Sequence, residues 1–258
     1  MPPPRMYRAE ALVLKNMSLG EADLLVTLFS REAGKLRAIA KGARRSSAKL
    51  VGHLEPLTVT RMALSRGHTL DVISQAETLE NFTPLKSSLT AIARGMQVSE
   101  LVDGFGSEAS ANEPLYNLAW STLESIGKTP EYELPLFHFQ LHLLGVSGLM
   151  PELSNCVECR RDIEPDRHRY SIDGGGVFCP DCTPDRAGLR PLSLRALKVM
   201  RLLARSDARA LPTLNLDAAL TQELRAVLSG TVQYWLDREI RTNSFMNQLA
   251  RTERVGRN

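Results

Sequence analysis

Four cysteines, arranged as two Cys-x-x-Cys pairs, constrain the fold of this chain more than any other feature of its sequence. The pairs are Cys156-Val-Glu-Cys159 and Cys179-Pro-Asp-Cys182, with 19 residues between them. Four thiolates at this spacing can surround a Zn²⁺ ion tetrahedrally, as in structural zinc sites. The sequence therefore predicts one structural Zn²⁺ per chain, bound by all four cysteines.

The segment between the two pairs predicts a β-hairpin. Residues 169–178 read Arg-Tyr-Ser-Ile-Asp-Gly-Gly-Gly-Val-Phe, two short runs with strand propensity joined by a glycine turn. A hairpin that carries Cys179 to the metal is typical of a zinc ribbon. Four sulfur ligands leave no open coordination position, so we expect a structural role for the metal. An iron–sulfur cluster, a site that has lost its metal and a redox-active thiol pair remain alternatives.

Length and hydropathy place the chain among globular proteins with more than one core. It has 258 residues, of which 43% are hydrophobic, enough for two or three small cores. No apolar run approaches the roughly 20 residues that cross a bilayer, and the start Met-Pro-Pro-Pro-Arg lacks the apolar core of a secretory signal. We expect a cytoplasmic protein, which agrees with cysteines that stay reduced and bind metal.

Charge is distributed unevenly along the chain, although the net charge is only +3. Residues 1–80 carry 12 basic and 8 acidic side chains, and residues 186–258 carry 13 basic and 6 acidic ones. Between them, residues 81–155 carry 3 basic and 8 acidic side chains, and residues 156–185 carry 4 basic and 7 acidic ones. Basic ends therefore flank an acidic middle, and any polyanionic partner is expected to bind at the ends.

The first 80 residues predict a small β-barrel. Five short runs rich in Val, Ile, Leu and Thr are separated by glycine-containing turns, and none shows helical periodicity. Five strands of this length suit an OB-fold barrel, which commonly binds single-stranded nucleic acid; a small SH3-like barrel is the alternative. The predicted strands are Met6–Lys15, Ala22–Ser30, Gly34–Lys41, Glu55–Leu64 and Thr69–Leu79.

The third of these strands and the loop after it predict a surface that binds DNA phosphates. Strand periodicity places basic side chains on one face, while Leu36, Ala38 and Ala40 point to the core. Residues 31–49 contain seven basic side chains and one acidic side chain, Glu32, a balance that suits binding to phosphates. The alternative is a charged edge that protects the sheet from aggregation. The candidate DNA-binding residues are Lys35, Arg37, Lys41, Arg44, Arg45 and Lys49.

From about residue 84 the periodicity becomes helical. Amphipathic patterns predict helices over 85–103, 114–126, 133–144 and 192–205. His138 and His142 have a spacing found in metal sites, but the cysteines already account for a metal, so we interpret both as ordinary helix residues.

The helix predicted over 192–205 has one basic face with leucines among its cations. Such a face can bind an acidic peptide with a hydrophobic end, or phosphate, and it can also be merely solvated. Its candidate residues for binding a partner's tail are Arg195, Lys198, Arg201 and Arg205.

Together these patterns predict an α+β fold in which an N-terminal OB-fold barrel precedes an α-helical domain with an inserted zinc-ribbon hairpin that carries the four cysteines. The predicted domains are residues 1–82 for the barrel, 83–150 and 189–258 for the two parts of the helical domain, and 151–188 for the insertion.

Three segments resemble the RecO family of bacterial DNA repair and recombination mediators. The first is Glu10-Ala-Leu-Val-Leu with Gly20-Glu-Ala-Asp23-Leu-Leu-Val-Thr-Leu-Phe-Ser. The second is Gly34-Lys-Leu-Arg37-Ala-Ile-Ala-Lys41-Gly-Ala-Arg-Arg, and the third is the closing Arg241-Thr-Asn-Ser-Phe-Met-Asn-Gln-Leu. The N-terminal block is the more specific, and the order of strands, helices and cysteine hairpin is similar throughout.

The resemblance implies a non-enzymatic protein that binds single- and double-stranded DNA, anneals complementary strands and works with RecR. The pair would load RecA onto strands coated by single-strand-binding protein, whose acidic C-terminal tail would dock on the helical domain. Arg37 and Lys41 match family positions implicated in DNA binding, and the protein would associate with the bacterial nucleoid. Zinc would serve as scaffolding, since some members lack the cysteines.

Two other functional classes are alternatives to this function. A zinc-ribbon accessory factor of transcription or translation would share the cysteines and the basic surface but would not anneal DNA. A hydrolase would need a phosphate loop, and the glycines at 174–176 lack the Lys-Ser or Lys-Thr that would complete one.

Overall fold

The chain forms two compact units in a computed structural model. One unit comprises Met1–Pro130 together with Ile240–Asn258, and the other comprises Glu131–Glu239. The structure describes residues 5–45, 49–164, 168–183, 187–208, 210–211, 213–236, 240 and 242. The predicted domain boundaries divide the chain differently, because the helices between residues 83 and 130 cluster with the barrel.

The first unit contains a closed five-stranded barrel with strand order β1-β2-β3-β5-β4. All neighbouring pairs are antiparallel except β3 and β5, which are parallel over a short stretch. Closure leaves no long unpaired edge. The strands are β1 (Met6–Leu19), β2 (Asp23–Ser30), β3 (Gly34–Ala40), β4 (Val59–Ser65) and β5 (Asp71–Glu80).

Small side chains fill much of the barrel interior. Ala11, Ala38 and Ala40 are fully buried there beside larger residues such as Met62 and Leu64. A barrel of five strands has a narrow interior, so alanines allow its walls to approach without overpacking. Inward and outward side chains alternate along the strands, and this alternation fixes the strand register.

Among the described residues of this unit, three helices follow the barrel: α1 (Thr83–Lys86), α2 (Leu89–Phe105) and α3 (Glu113–Lys128). Helix α2 begins at an N-cap in which the Ser88 side chain accepts from the backbone N–H of Ala91, and Asn112 caps α3 in the same way. After α2, Gly106 lies so close to the Phe29 ring that a Cβ there would be 2.6 Å from it.

The loop after α2 also pairs with the start of β3. Lys35 N–H donates to Ser107 O, and Ala109 N–H donates to Lys35 O. Gly34 has a positive φ of 66°, and a Cβ there would be 2.0 Å from Ser110 O. Glycine is therefore required at this turn, which fixes the first residues of β3 against the helical part of the unit.

The described part of the second unit combines three helices with a small three-stranded sheet of order β7-β6-β8. Tyr170 and Phe178 from the sheet are buried in one core with Phe137, Leu197 and Leu228 from the helices. The elements are α4 (Glu133–Val146), β6 (Arg169–Ser171), β7 (Gly176–Phe178), β8 (Leu189–Pro191), α5 (Leu194–Arg205) and α6 (Ala218–Leu236).

The structure confirms the predicted α+β fold, with a barrel followed by helices and a cysteine-bearing hairpin. The antiparallel pair of β6 and β7 is the predicted hairpin. Strand β8 and helix α6 lie outside the predicted elements. Among the described residues, no helix combines the length and the apolarity needed to cross a membrane.

Candidate nucleic-acid interface and metal centre

Strand β3 presents basic side chains on its outer face. Ala38 and Ala40 are fully buried, whereas Arg37 and Lys41 are exposed. The two-residue period of the strand produces this alternation, because the barrel core takes every second side chain. Arg37 therefore points outward from the strand, and Lys41, the first residue after it, is also exposed.

Lys35 shares this face but is held by a partner within the protein. Its Nζ donates to the backbone O of Asp103 at 2.7 Å and lies 3.8 Å from the Asp103 carboxylate. Lys15 binds the same carboxylate at 2.6 Å. The Lys35 side chain is only 16% exposed. Its ammonium group ties β3 to the end of α2, in contrast to the exposed Arg37.

The loop after β3 continues the basic surface at one end of the barrel. Gly42 N–H donates to the Asp23 carboxylate at 2.7 Å, which joins this loop to the start of β2. The Arg44 guanidinium donates to Gly20 O and Glu21 O, and the Arg45 side chain is exposed. We call Arg37, Lys41, Arg44 and Arg45 the β3 cationic surface.

Lys49, the last of the predicted DNA-binding residues, lines a different region. It borders a groove of about 610 Å³ over strands β1, β4 and β5, together with Arg8, His53 and Arg61. We call this the barrel groove. No local pattern in the sequence marks Arg8 or Arg61, because they are isolated in sequence and come together only through the pairing of β1 with β4.

The four cysteines come together in the second unit. Their Sγ atoms all lie within 4.8 Å of one another, and those of Cys159 and Cys179 are 3.6 Å apart. A tetrahedron with metal–sulfur bonds of about 2.3 Å has edges of about 3.8 Å, whereas a disulfide requires about 2.05 Å. The spacing fits four thiolates around one metal ion.

Backbone hydrogen bonds shape the two halves of this cysteine cluster. In the first half, Cys156 N–H donates to Arg161 O and Arg160 N–H to Cys156 O, with Arg160 at a positive φ of 62°. In the second half, Cys182 N–H donates to Cys179 O. Cys179 N–H also donates to the Cys156 sulfur at 3.4 Å, linking the halves. These contacts hold together sulfur atoms from two distant parts of the sequence.

The environment of Cys159 favours its thiolate form. The backbone N–H and the guanidinium of Arg161 lower the pKa of Cys159 to about 6. The same guanidinium binds Asp181 at 2.7 Å, which links the two cysteine pairs a second time. A thiolate is the form that binds metal, so this cysteine is ready for coordination at neutral pH.

Helix α5 carries the predicted basic face, but its four cations are in different situations. Arg195 pairs with Asp217 at 2.6 Å, and Arg201 donates to Leu153 O at 2.8 Å. Lys198 and Arg205 are exposed, and Leu202 between them is 42% exposed. These three residues follow an i, i+4, i+7 spacing, so they lie on one side of the helix.

His138 and His142 support α5 within the second unit. Their Nε2 atoms donate to Ser206 O and Leu203 O, each at 3.0 Å, and their rings stack 4.0 Å apart. These carbonyls belong to the C-terminal end of α5, where backbone acceptors have no partners within the helix. Burial lowers the pKa of His138 to about 4, so its ring is neutral at physiological pH.

Two family models together match most of this chain. The model described as "Recombination protein O N terminal" matches residues 5–82, and the one described as "Recombination protein O C terminal" matches residues 86–244. The chain belongs to the RecO family. The first model covers the barrel, and the second covers most of the helices and the cysteine cluster.

Relatives in the RecO family align over nearly their whole length. The chain is 31% identical to the DNA repair protein RecO of Dehalococcoides mccartyi (strain 195), over 97% of this chain and 99% of that protein. It is 32% identical to the protein of the same name from Desulforamulus reducens, over 95% of both chains. The RecO protein of Gloeobacter violaceus is 33% identical over 94% of this chain and 93% of its own length.

The RecO assignment places the protein in DNA repair and recombination. It agrees with the N-terminal motifs around Gly20, Gly34 and Arg37, which lie on the turns and strands of the barrel. Of the closing motif over 241–249, the structure describes only Thr242, which binds Glu100 of α2 through its backbone N–H and its hydroxyl. The other residues of that motif lie outside the described ranges.

Proposed function

We propose that this RecO protein is a non-enzymatic mediator that binds single- and double-stranded DNA and anneals complementary strands. The observation that carries the proposal is the β3 cationic surface, a row of exposed cations on the outside of an OB-type barrel. Arg37, Lys41 and Arg45 extend outward from a rigid strand and the loop that follows it. Such a row can follow a phosphate backbone at any sequence.

Electrostatics supplies the mechanism of annealing. Two DNA strands are polyanions that repel one another, and cations that neutralise their phosphates release counterions and reduce this repulsion. The barrel offers few rings for base stacking, because Phe29 and Phe82 are buried and Tyr7 stacks under Arg66. Binding should therefore depend strongly on salt and little on sequence.

Zn²⁺ is the metal that best suits the cysteine cluster, and its proposed role is structural. A tetrahedron of four cysteine sulfurs satisfies Zn²⁺ completely and leaves no position for water or substrate. When bound, the ion would cross-link the two cysteine pairs that flank β6 and β7. The residues that would hold it are Cys156, Cys159, Cys179 and Cys182.

The proposed partners follow from the family and from the charge of α5. With RecR, the protein would load RecA onto DNA coated by single-strand-binding protein, acting at the nucleoid. The acidic, hydrophobic-ended tail of that protein fits a helix face on which Leu202 lies between Lys198 and Arg205. Charge would attract the tail, and the leucine would contact its apolar end.

Annealing of complementary fluorescent oligonucleotides, bare and coated with single-strand-binding protein, tests this function across a series of salt concentrations. We expect acceleration that falls steeply with salt and persists on coated strands. Binding without annealing would contradict the proposal and favour a zinc-ribbon accessory factor of transcription or translation.

A further inference from the structure

The barrel groove is a second cationic surface, and none of its residues belongs to the β3 cationic surface. Its volume of about 610 Å³ lies within the range of about 300–1,000 Å³ that is usual for sites that bind small molecules. Strands β1, β4 and β5 form its floor, and Lys49, Leu50 and His53 border it from the connection between β3 and β4.

The charge of the groove favours an anion. Arg8, Lys49 and Arg61 contribute three cations, and Glu77 is the one carboxylate among the described lining residues. Arg61 and Glu77 are 3.8 Å apart and both largely exposed, so their interaction is weak and easily displaced. Arg8 is exposed and has no ion pair with any described residue.

Strand pairing brings the two arginines into a suitable arrangement. Arg8 pairs with Ala63 and Glu10 with Arg61, so the arginines are diagonal neighbours on the outer face of the sheet. Diagonal neighbours are about 7–8 Å apart, within reach of long side chains. Glu10, opposite Arg61 in this pairing, accepts a hydrogen bond from the Tyr116 hydroxyl and does not line the groove.

The floor of the groove leaves room beside the two guanidinium groups. Ala63, Ser74 and Ala76 are small, and Leu50 adds apolar surface. A nucleotide presents this combination of an anionic phosphate and a flat, partly apolar base and sugar. Two fork-shaped arginines bind phosphate oxygens better than lysines do, because each guanidinium can donate two parallel hydrogen bonds.

The two arginines of the groove lie on β1 and β4, which do not pair with β3, although β5, which completes the floor, does pair with β3. In the order β1-β2-β3-β5-β4, strand β4 lies two positions from β3, the greatest separation that a five-membered ring allows. Side chains on β3 and β4 therefore point outward in different directions. A strand of DNA that follows Arg37 along β3 would leave Arg8 and Arg61, two strands away, accessible to a second strand.

We propose that the barrel groove binds a second single strand of DNA, with Arg8 and Arg61 on its phosphates. This inference rests on the proposed annealing function and adds to it a site for the incoming strand. One barrel would hold two strands on separate faces, and neutralisation at both faces would let them approach each other.

The stoichiometry of a short oligonucleotide tests this directly. An OB-type barrel binds about 4–16 nucleotides, so a thymidine oligomer of about six should occupy one face at a time. By native mass spectrometry at low salt, we expect two oligomers per wild-type chain and one per Arg8→Ala/Arg61→Ala chain. The affinity of the tighter site should be unchanged within about twofold.

Annealing kinetics provide the second readout, with matched controls. The double variant should anneal more slowly, with a salt slope shallower by about 1.4, since each single-strand phosphate contact contributes about 0.7. The control Arg5→Ala/Lys128→Ala, which removes two cations from the same unit but outside the groove, should anneal as the wild type does. Glu77→Gln removes the carboxylate that lines the groove and should therefore accelerate annealing. This variant tests the groove independently if the arginine variant is unstable.

The outcomes of these experiments distinguish the second-strand site from the proposed function. If the wild-type chain binds only one oligomer, or if the groove variants anneal at the wild-type rate, the second-strand site is wrong. The proposed function still stands in either case, provided that the wild-type chain anneals DNA. Loss of the tighter site in Arg8→Ala/Arg61→Ala would also overturn it, because the groove would then belong to the primary site. Failure of the wild-type chain to bind or anneal DNA would reject the proposed function itself.

Discussion

At the scale of single residues, the environment of each cation decides what it can do. Lys35 and Arg37 are two positions apart on one face of β3, yet Lys35 binds Asp103 and Arg37 is exposed. A cation whose charge is already satisfied inside the protein contributes to stability. An exposed cation on a rigid strand remains available to a phosphate.

We therefore expect Lys35→Ala to destabilise the protein without weakening DNA binding. Removal of a charged hydrogen bond to the partly buried Asp103 carbonyl should lower the free energy of unfolding by about 1–2 kcal/mol. Chemical denaturation and fluorescence anisotropy with a single-stranded oligonucleotide would measure the two effects. A large loss of affinity in a stable Lys35→Ala protein would show that Lys35 contacts DNA.

His138 predicts a pH dependence of stability. Its pKa is about 4 in the folded protein and ordinarily 6.5, so the unfolded state binds the proton more tightly. Its contribution to stability is complete above pH 6.5 and is lost as the pH falls towards 4, up to about 3 kcal/mol. His138→Gln, which can still donate to Ser206 O, should flatten the stability curve between these pH values. An identical curve in the variant would exclude His138 as the cause.

At the scale of elements, the cysteine cluster and the neighbouring sheet act as one module. The backbone of Glu152, just before Cys156 in the sequence, pairs with Gly175 and Val177 of the β6–β7 hairpin. At Gly176, a Cβ would approach Glu152 O to 2.3 Å, so only glycine fits this contact. The hairpin thus positions both cysteine pairs, and a metal would hold them in place.

Metal removal should therefore affect stability and spare the barrel. Chelation at neutral pH is expected to release one Zn²⁺ per chain and to cost several kcal/mol of stability in the unit that holds the cysteines. Calorimetry should show a lower melting temperature, while the affinity for single-stranded DNA changes by less than about twofold. If Cys156→Ser/Cys179→Ser keeps its thermal stability and loses DNA binding, the structural role of the metal is wrong.

Helix α5 makes a prediction about peptide binding. Lys198→Ala/Arg205→Ala should weaken binding of an acidic peptide with a hydrophobic C-terminus by about fivefold or more, since each exposed ion pair contributes up to about 1 kcal/mol. Arg195→Ala is the matched control, because Arg195 already pairs with Asp217. Fluorescence polarisation of a labelled peptide would measure both. Equal losses in the two variants would contradict a site at Leu202.

At the scale of the whole molecule, local patterns predicted most elements, and long-range pairing determined the rest. Strand alternation in β3 and the cysteine spacing are local signals, and the structure agrees with both. The link from Lys35 to Asp103 spans 68 residues, and Arg8 meets Arg61 only through strand pairing, so no local pattern could reveal them.

Helix α6 and strand β8, which the sequence patterns did not predict, differ in how strongly the sequence signals them. Asp217 caps α6 by accepting from Leu220 N–H, so a start signal was present in the sequence. Strand β8 has three residues and forms only by pairing with β6, which no sequence periodicity of that length can predict.

The central claim is that the β3 cationic surface binds DNA phosphates, and the salt dependence of single-strand affinity tests it most directly. We would compare the wild-type chain with Arg37→Ala/Lys41→Ala/Arg45→Ala, leaving Arg44 because its guanidinium also binds the β1–β2 turn. The account predicts weaker binding and a slope of log K against log salt that is shallower by about 2, for three phosphate contacts at about 0.7 each. An unchanged affinity and slope in a folded variant would contradict it and place the DNA site elsewhere.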